Sequence, residues 1–166
     1  VQAAGAGSMY YSIENHRRTE LPAVHTFADG TAVKMPGENT FALCEKYVDR
    51  IVTVTDDEIA TAILTLMERQ KLVAEGAGAL SVAAAMFKKL PIEGKKTVCI
   101  VSGGNIDVNI LSRVINRGLL KSGRIADLTI EMLDKPGQLK EVSRIIADLG
   151  ANVIRVRHNQ GGENTD

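Results

Sequence analysis

The sequence has 166 residues, enough for one moderate domain or for one domain and part of another. Twenty basic and twenty acidic residues give a formal net charge of zero, so we expect neither nucleic acid nor a membrane surface as a partner. No apolar run approaches the roughly 20 residues that span a bilayer, and the first residues lack a secretory signal pattern. This composition predicts a cytoplasmic globular protein.

The ends of the sequence and its two cysteines indicate what kind of chain this is. The first residues read as the end of a strand running into a turn, the last six read as a loop, and there is no initiator methionine. We therefore expect the chain to be a piece of something longer. Cys44 and Cys99 lie far apart in apolar surroundings, which favours two buried thiols over a disulfide.

The first clear periodic pattern is a β-branched strand at residues 50–55. Thr55 and Glu58 form the T-x-x-E signature of a capping box, which predicts a helix start. The helix is expected to run to about Lys71. Its apolar face consists of Ile59, Ile63, Leu66 and Met67.

A second alternation of strand and helix patterns follows along the chain. Residues 73–90 predict a short extended segment, a glycine-rich turn and an alanine-rich helix. The stretch "KTVCIVS" at 96–102 predicts a buried strand because it has four apolar residues in a row. A further helix is expected from Asp107 to near Gly118. Alternation of this kind predicts an α/β fold with a parallel sheet.

The last 40 residues have a different pattern. "ADLTIEML" alternates as a half-buried strand, a helix is expected from about Gln138 to Leu149, and "ANVIRVRH" alternates again. Gly150 should stop the helix in a left-handed conformation. Such a β-α-β unit is too small for a sizeable core, so it needs a second half or a partner chain.

The turn Ser-Gly-Gly-Asn lies between the strand at 96–102 and the helix that follows. Backbone N–H groups near a helix start, preceded by glycines, favour an anion or an electron-rich ring atom. The Ser102 hydroxyl should point off the carboxyl edge of the sheet, where open α/β sheets bind ligands. Asn105 or Asp107 could cap the helix, so the residues alone favour a plain strand-to-helix turn with good capping chemistry.

Three longer stretches resemble the carboxyl-terminal part of threonine and serine ammonia-lyases. They are "TFADGTAVKMPGENTFALCEKYVDRIVTVTDDEIATAI", "ERQKLVAEGAGALSVAA" and "CIVSGGNIDVNIL". These enzymes, also called threonine dehydratases, have the tryptophan-synthase-β-like fold of fold-type II pyridoxal phosphate (PLP) enzymes, and serine racemase is a close relative. The resemblance covers roughly residues 1–124, in order and with matching spacings. Residues 126–158, with "DKPGQL", resemble the first half of an ACT domain.

The resemblance implies an organisation and an activity. Residues 1–120 would be the carboxyl-terminal part of an α/β catalytic domain, 121–125 a linker and 126–166 a partial ACT-like regulatory domain. The whole enzyme would convert L-threonine, or L-serine, to a 2-oxo acid and ammonia, in isoleucine biosynthesis or threonine catabolism. Relatives assemble as dimers or tetramers, so a homo-oligomer is implied.

The resemblance also implies which residues bind the cofactor. The family's S-G-G-N serine, which donates a hydrogen bond to the pyridine nitrogen of PLP, matches Ser102. Gly30 in "FADG" matches the residue against a face of the ring, where any side chain would occupy the ring's space. Glu75 matches a pocket glutamate, although a carboxylate aligned with a helix dipole is the alternative. The implied cofactor-binding set is Ser102, Gly103, Gly104, Asn105, Gly30 and Glu75.

Two features of the family pattern do not occur in this sequence. There is no S-F-K-x-R-type motif, which carries the family's Schiff-base lysine, and no run of about four glycines to hold the PLP phosphate. Lys34 has no claim on the lysine's role. The sequence therefore offers no catalytic residue of its own, and we expect this segment alone to be inactive.

A cation site is not expected either. Relatives that bind a divalent cation use a glutamate and an aspartate in the segment corresponding to residues 5–11. Gly5 and Tyr11 stand at those positions here, and hard cations need oxygen ligands, so the sequence predicts no metal site.

A rival hypothesis from another class is a non-catalytic fragment that binds an amino-acid effector through the ACT-like tail. In the ACT family, effectors bind near the glycine of the strand-to-helix loop and at paired-domain interfaces. Asp134, Gly137 and Asn152 are the matching candidates. The plain interpretation of a Pro-Gly turn and an ordinary helix start remains open for them.

Overall fold

The computed structural model of the protein describes residues 1–159. It divides into two compact units, Val1–Ala126 and Asp127–Asp166. The strands and helices, in chain order, are β1 (Gln2–Ala3), α1 (Ser8–Glu14), α2 (Glu38–Tyr47), β2 (Thr53–Val54), α3 (Asp56–Thr65), α4 (Leu80–Met86), α5 (Val108–Lys121) and α6 (Gln138–Asp148). Within residues 1–159, no helix is long and apolar enough to cross a membrane.

The sheet of the first unit consists of two short parallel strands. Gln2 of β1 lies opposite Thr53 of β2, and Ala3 lies opposite Val54. The strand predicted at 50–55 is therefore present and parallel, but only its Thr53–Val54 part is paired. The adjoining Gln2 N–H donates to the Val52 carbonyl at 3.0 Å, which extends the contact by one further bond.

Helix α3 begins with the predicted capping box. The Glu58 N–H donates to Thr55 Oγ1 at 3.3 Å, and the Thr55 N–H donates to Glu58 Oε2 at 2.8 Å. Two backbone donors at the helix start are satisfied in this way. The helix continues through a π-helical turn, Leu66–Gln70, and stops at Lys71, whose φ is +58°. Both predicted ends of this helix are confirmed.

The core of the first unit is built from α3, α4, α5 and the small residues between them. Ile59 and Ile63 of α3 are fully buried, and Val114 of α5 packs in the same cluster. Gly118 was expected near the end of α5, but the helix runs on to Lys121. Packing accounts for a glycine at this position, because a Cβ on Gly118 would lie 3.1 Å from Leu64 Cδ2. The glycine lets α5 approach α3 and does not end the helix.

The prediction of a buried strand at 96–102 is wrong. This segment forms neither a strand nor a helix, and Val98 and Ile100 are 90% and 78% exposed. A strand is defined by its neighbours, and within residues 1–159 the segment has no paired strand. The segment instead lies against α4, where Ser81 Oγ donates to the Ile100 carbonyl at 2.7 Å.

The second unit contains one helix within its described part. Helix α6 spans Gln138–Asp148, as predicted, and Gly150 follows it with the expected positive φ of +76°. The two strands predicted on either side of α6 are not formed, and no residue from 127 to 159 is buried. Since a half-buried strand needs a sheet partner and a covering surface, the alternating pattern is not realised within these residues.

The two cysteines are free thiols, as predicted. Both are half-buried, however, and not buried as the sequence suggested. The Cys99 thiol donates weakly to the Ser81 carbonyl at 3.7 Å, so it lies along α4.

Candidate functional site

Three segments of the first unit that are distant in sequence meet around Glu75. The Glu75 N–H donates to the Gly103 carbonyl at 2.8 Å, which ties the start of the glycine-rich turn to the Ser-Gly-Gly-Asn turn. A Cβ on Gly30 would lie 3.6 Å from Glu75 Oε1 and 3.2 Å from Ala77 Cβ. The structure thus brings Glu75, Gly103 and Gly30 together.

Gly103 is a position that only glycine can fill. Its φ is +67°, a conformation that costs L-residues free energy, and a Cβ there would overlap the Glu75 side chain, with Cγ at 2.8 Å. The half-buried Glu75 carboxylate therefore lies directly against the turn. An ionised carboxylate is a hydrogen-bond acceptor only, so Glu75 can accept a hydrogen bond from a donor placed beside the turn.

The Ser102 hydroxyl is available to a ligand. Ser102, Gly103, Gly104 and Asn105 are all exposed, and among residues 1–159 the Ser102 hydroxyl has no hydrogen-bond partner. A hydroxyl can donate to a neutral ring nitrogen or accept from a protonated one. This side chain has the chemistry that the sequence interpretation requires of it.

The helix after the turn is capped by Asp107, not by Asn105. Asp107 Oδ1 accepts from the Asn109 N–H at 2.7 Å, and α5 begins at Val108. The sequence left both residues open as caps. Because Asn105 lies three residues before the helix, its side chain is not engaged in capping and belongs to the turn.

The segment before Gly30 is anchored by contacts that the sequence interpretation missed. Thr26 Oγ1 donates to Asp56 Oδ1 at 2.6 Å, and the Phe27 N–H donates to Asp56 Oδ2 at 3.4 Å. Asp56 is the first residue of α3, where an acidic residue is expected for the helix dipole alone. No local signal shows that it also anchors the segment before Gly30.

The effector candidates lie in the second unit, at its helix. Gly137 precedes the first turn of α6 with a φ of +94°, and Asp134 lies just before it. Asn152 follows the last turn, and a helix of 11 residues is about 16 Å long. Asp134, Gly137 and Asn152 are all exposed. The structure thus places Asn152 at the other end of α6 from Gly137.

Potential metal ligands do not cluster in the described part of the chain. Residues 1–159 contain no group of three His, Cys, Asp or Glu side chains that could hold a metal ion. Gly5 contacts His25 through the backbone, where the His25 N–H donates to the Gly5 carbonyl at 2.9 Å.

The family and its relatives can now be compared with this geometry. Residues 1–103 match the family model described as "Pyridoxal-phosphate dependent enzyme". The L-threonine ammonia-lyase of Thermotoga maritima is 50% identical over 163 residues, which are 98% of this chain and 40% of the relative. The L-threonine dehydratase biosynthetic IlvA of Halalkalibacterium halodurans is 39% identical over 140 residues, 84% of this chain and 34% of the relative.

A solved structure supports the same assignment. The processed form of threonine deaminase isoform 2 from Solanum lycopersicum superposes with a TM-score of 0.65 at 36% identity, over 71% of this chain and 33% of that chain. The chain therefore belongs to the family of pyridoxal-phosphate dependent enzymes, and the predicted α/β fold of fold-type II is confirmed. Its cofactor is pyridoxal phosphate. The chain spans 40% or less of the length of these relatives.

The chemistry of these residues is compatible with one edge of that cofactor. Ser102 has an unpartnered hydroxyl that would be offered to a ring nitrogen, and Gly30 has no side chain that would exclude a ring. A hydroxyl beside the ring nitrogen would leave the pyridine neutral, whereas a carboxylate would hold the nitrogen protonated. The family's lysine motif and glycine-rich phosphate cradle do not occur in the sequence.

Proposed function

We propose that this chain is the carboxyl-terminal part of the catalytic domain of a threonine ammonia-lyase, which converts L-threonine to 2-oxobutanoate and ammonia. L-Serine is the alternative substrate. The proposal rests on one observation: Glu75, Gly103 and Gly30, which lie far apart in sequence, meet at one place within residues matched by the family, and Ser102 directly precedes Gly103. The names of the relatives support the choice of substrate.

Each residue has a distinct role in this proposal. When bound, pyridoxal phosphate supplies an electron sink for the electron pair left at the substrate Cα. The Ser102 hydroxyl donates a hydrogen bond to the ring nitrogen and keeps its proton, so the ring stays neutral and is a weaker electron sink, which suits elimination of a β-hydroxyl. Gly30 leaves room for the ring, and Glu75 holds the turn through its N–H while its carboxylate faces the same space.

The proposal divides the enzyme's work between two parts. This chain supplies the ring-nitrogen edge of the site, and the rest of the enzyme supplies the lysine and the phosphate cradle. The 166 residues alone should therefore release no 2-oxobutanoate from L-threonine in the presence of pyridoxal phosphate. Steady turnover by the chain alone would mean that another lysine serves the cofactor.

The experiment that tests the proposal is a chimera. This chain replaces the matching 163 residues of the Thermotoga maritima L-threonine ammonia-lyase, and 2-oxobutanoate is followed with L-threonine and with L-serine. Cofactor binding, measured by absorbance, shows whether the chimera is folded. We expect turnover within about tenfold of the parent, since half of the exchanged residues are identical. A folded chimera that binds pyridoxal phosphate but releases no ammonia from either amino acid would contradict the proposal.

The role of Ser102 is tested in the same chimera. Ser102→Ala removes one hydrogen bond to the ring and should lower kcat about tenfold, while the Kd for pyridoxal phosphate rises by less than about threefold. Ser102→Thr keeps the hydroxyl and is the matched control. Equal losses in kcat and in cofactor affinity, or no loss, would exclude the tuning role.

The proposal extends to assembly and regulation of the whole enzyme. We place it in the cytoplasm as a homo-oligomer whose residues 126–166 form part of an ACT-like domain, with Asp134, Gly137 and Asn152 near the effector. The exposed apolar surface of the second unit, such as Leu128 at 69% exposure, supports the assembly part of this proposal, because an exposed apolar patch favours a covering surface. Dialysis against L-isoleucine or L-valine should change the oligomer size, and an unchanged size would contradict the effector role.

A further inference from the structure

Gly76 and Gly78 lie at two close approaches of the backbone. A Cβ on Gly78 would overlap the carbonyl oxygen of Ser102. A Cβ on Gly76 would lie 2.8 Å from Ala28 Cα and 3.0 Å from the Phe27 ring. The approaches to the Ser102 carbonyl and to Ala28 Cα are closer than real Cβ contacts, so the backbone of the neighbouring segment would have to move for any larger residue at either position.

The conformation of these glycines does not itself require glycine. Gly76 has φ −55° and ψ −44°, which alanine adopts readily, and Gly78 lies in the helical turn Ala77–Ala79 without a positive φ. By helix propensity alone, alanine would be the better residue at both positions. The requirement for glycine therefore comes from the two segments that pack against this turn.

The two segments are the same ones that carry the proposed cofactor contacts. Gly78 contacts Ser102, whose hydroxyl faces the ring nitrogen in the proposed function. Gly76 contacts Ala28, two residues before Gly30, and the segment before Gly30 is fixed independently by Asp56. The turn between the two glycines thus separates the Ser102 turn from the Gly30 segment.

Further bonds run along the Ser102 side of this turn. Ser81 Oγ donates to the Ile100 carbonyl at 2.7 Å, and the Glu75 N–H donates to the Gly103 carbonyl at 2.8 Å. Ser102 lies between these two bonds, opposite Gly78. A side chain at residue 78 would push the Ser102 carbonyl away and break the adjacent bond to Gly103.

We propose that Gly76 and Gly78 are positioning residues that set the separation between the Ser102 turn and the Gly30 segment. This inference rests on the proposed function for what the space between them holds. Neither glycine touches the cofactor in this account. Gly78 acts through Ser102, and Gly76 acts through the segment 27–30.

The first test measures amide hydrogen exchange in the 166-residue chain, without cofactor or activity. In Gly78→Ala, the Glu75 amide should exchange at least about tenfold faster, because its acceptor on Gly103 is displaced. Gly7→Ala is the matched control, since Gly7 is also buried but a Cβ there would be 3.4 Å from the nearest atom, on the movable Tyr11 ring. Exchange unchanged in Gly78→Ala would overturn the inference.

Two further measurements keep the test decisive. If Gly78→Ala unfolds, Gly76→Ala tests the other segment: the Thr31 amide, which donates to the Ala28 carbonyl at 3.0 Å, should exchange about threefold faster, and an unchanged rate overturns the inference. In the active chimera, Gly78→Ala should lower kcat about tenfold alone but by less than twofold in the Ser102→Ala background. Additive losses would mean that Gly78 does not act through Ser102. A chimera without activity would contradict the proposed function, while the exchange result would stand separately.

Discussion

The two units of the molecule carry equally regular helices but bury them differently. In the first unit, Ile59 and Ile63 of α3 are fully buried beneath α5 and α4. In the second, Leu139 and Ile145 on the apolar face of α6 remain 49% and 47% exposed. An amphipathic pattern is thus sufficient to predict a helix, but burial of its apolar face requires a second surface within reach.

The largest effect that would sharpen this comparison is expected in the core of the first unit. Ile63→Ala removes a fully buried side chain and leaves a cavity, which should lower the free energy of unfolding by about 2–5 kcal/mol. Ile145→Ala is the matched change in α6 and should cost less than about 1 kcal/mol, because the side chain is half exposed. Urea denaturation of both variants measures the difference.

Equal losses in the free energy of unfolding for the two isoleucine variants would contradict the comparison. They would show that the apolar face of α6 is buried in solution to the same extent as that of α3. Because association would make the stability of the Ile145→Ala variant depend on protein concentration, the measurement is repeated at two concentrations.

Local patterns predicted α3, α4, α5 and α6, whereas α1 and α2 were not predicted from the sequence. The capping box of α3 and the end of α6 at Gly150 depend on a few neighbouring residues, which the sequence contains in full. The strands predicted at 96–102 and on either side of α6 depend on partner strands, and none pairs with them within residues 1–159. Strand prediction therefore failed where pairing, not pattern, decides.

In the candidate site, too, contacts between segments distant in sequence could not be predicted from local patterns. Ser102, Gly30 and Glu75 were selected through the family resemblance, and the structure brings Glu75 into contact with the other two segments. Asp56, which anchors the segment before Gly30, was missed because its contact partners lie 29–30 residues away in sequence. The sequence likewise does not reveal that Gly76 and Gly78 are close-approach positions, since their requirement for glycine comes from other segments.

A smaller effect is expected at the start of α3, which is capped by side chains, whereas α6 begins at Gly137 without a side-chain cap. Thr55→Ala removes the acceptor for the Glu58 N–H and should lower the free energy of unfolding by about 1 kcal/mol. Thr55→Ser keeps the hydroxyl and should stay within about 0.5 kcal/mol of the original in thermal denaturation. A loss as large in Thr55→Ser would mean that the methyl group, not the cap, is responsible.

The two units also differ in how their ion pairs are connected. Asp57 in α3 pairs with Arg117 and with Lys121 Nζ at 2.9 Å, both in α5, so the pair links two helices. The hydrogen bond from Arg117 lowers the pKa of the Asp57 carboxyl, against a smaller opposing effect of burial, and Lys121 lowers it further. In α6, Arg144 similarly lowers the pKa of Glu141, but both residues belong to the same exposed helix.

The smallest expected effect follows from the sign of that shift. Because the pKa of Asp57 is lower in the folded chain than in the unfolded one, its ionised form stabilises the fold above about pH 4, and this contribution is lost as the pH falls through the folded pKa. Asp57→Asn should therefore have a lower free energy of unfolding than the original at pH 7. In urea denaturation repeated at decreasing pH, this difference should vanish at the lowest pH values. Glu141→Gln should show a smaller difference throughout, since its partner holds no second helix. A difference that persists unchanged at low pH would mean that Asp57 acts through packing and not through its charge.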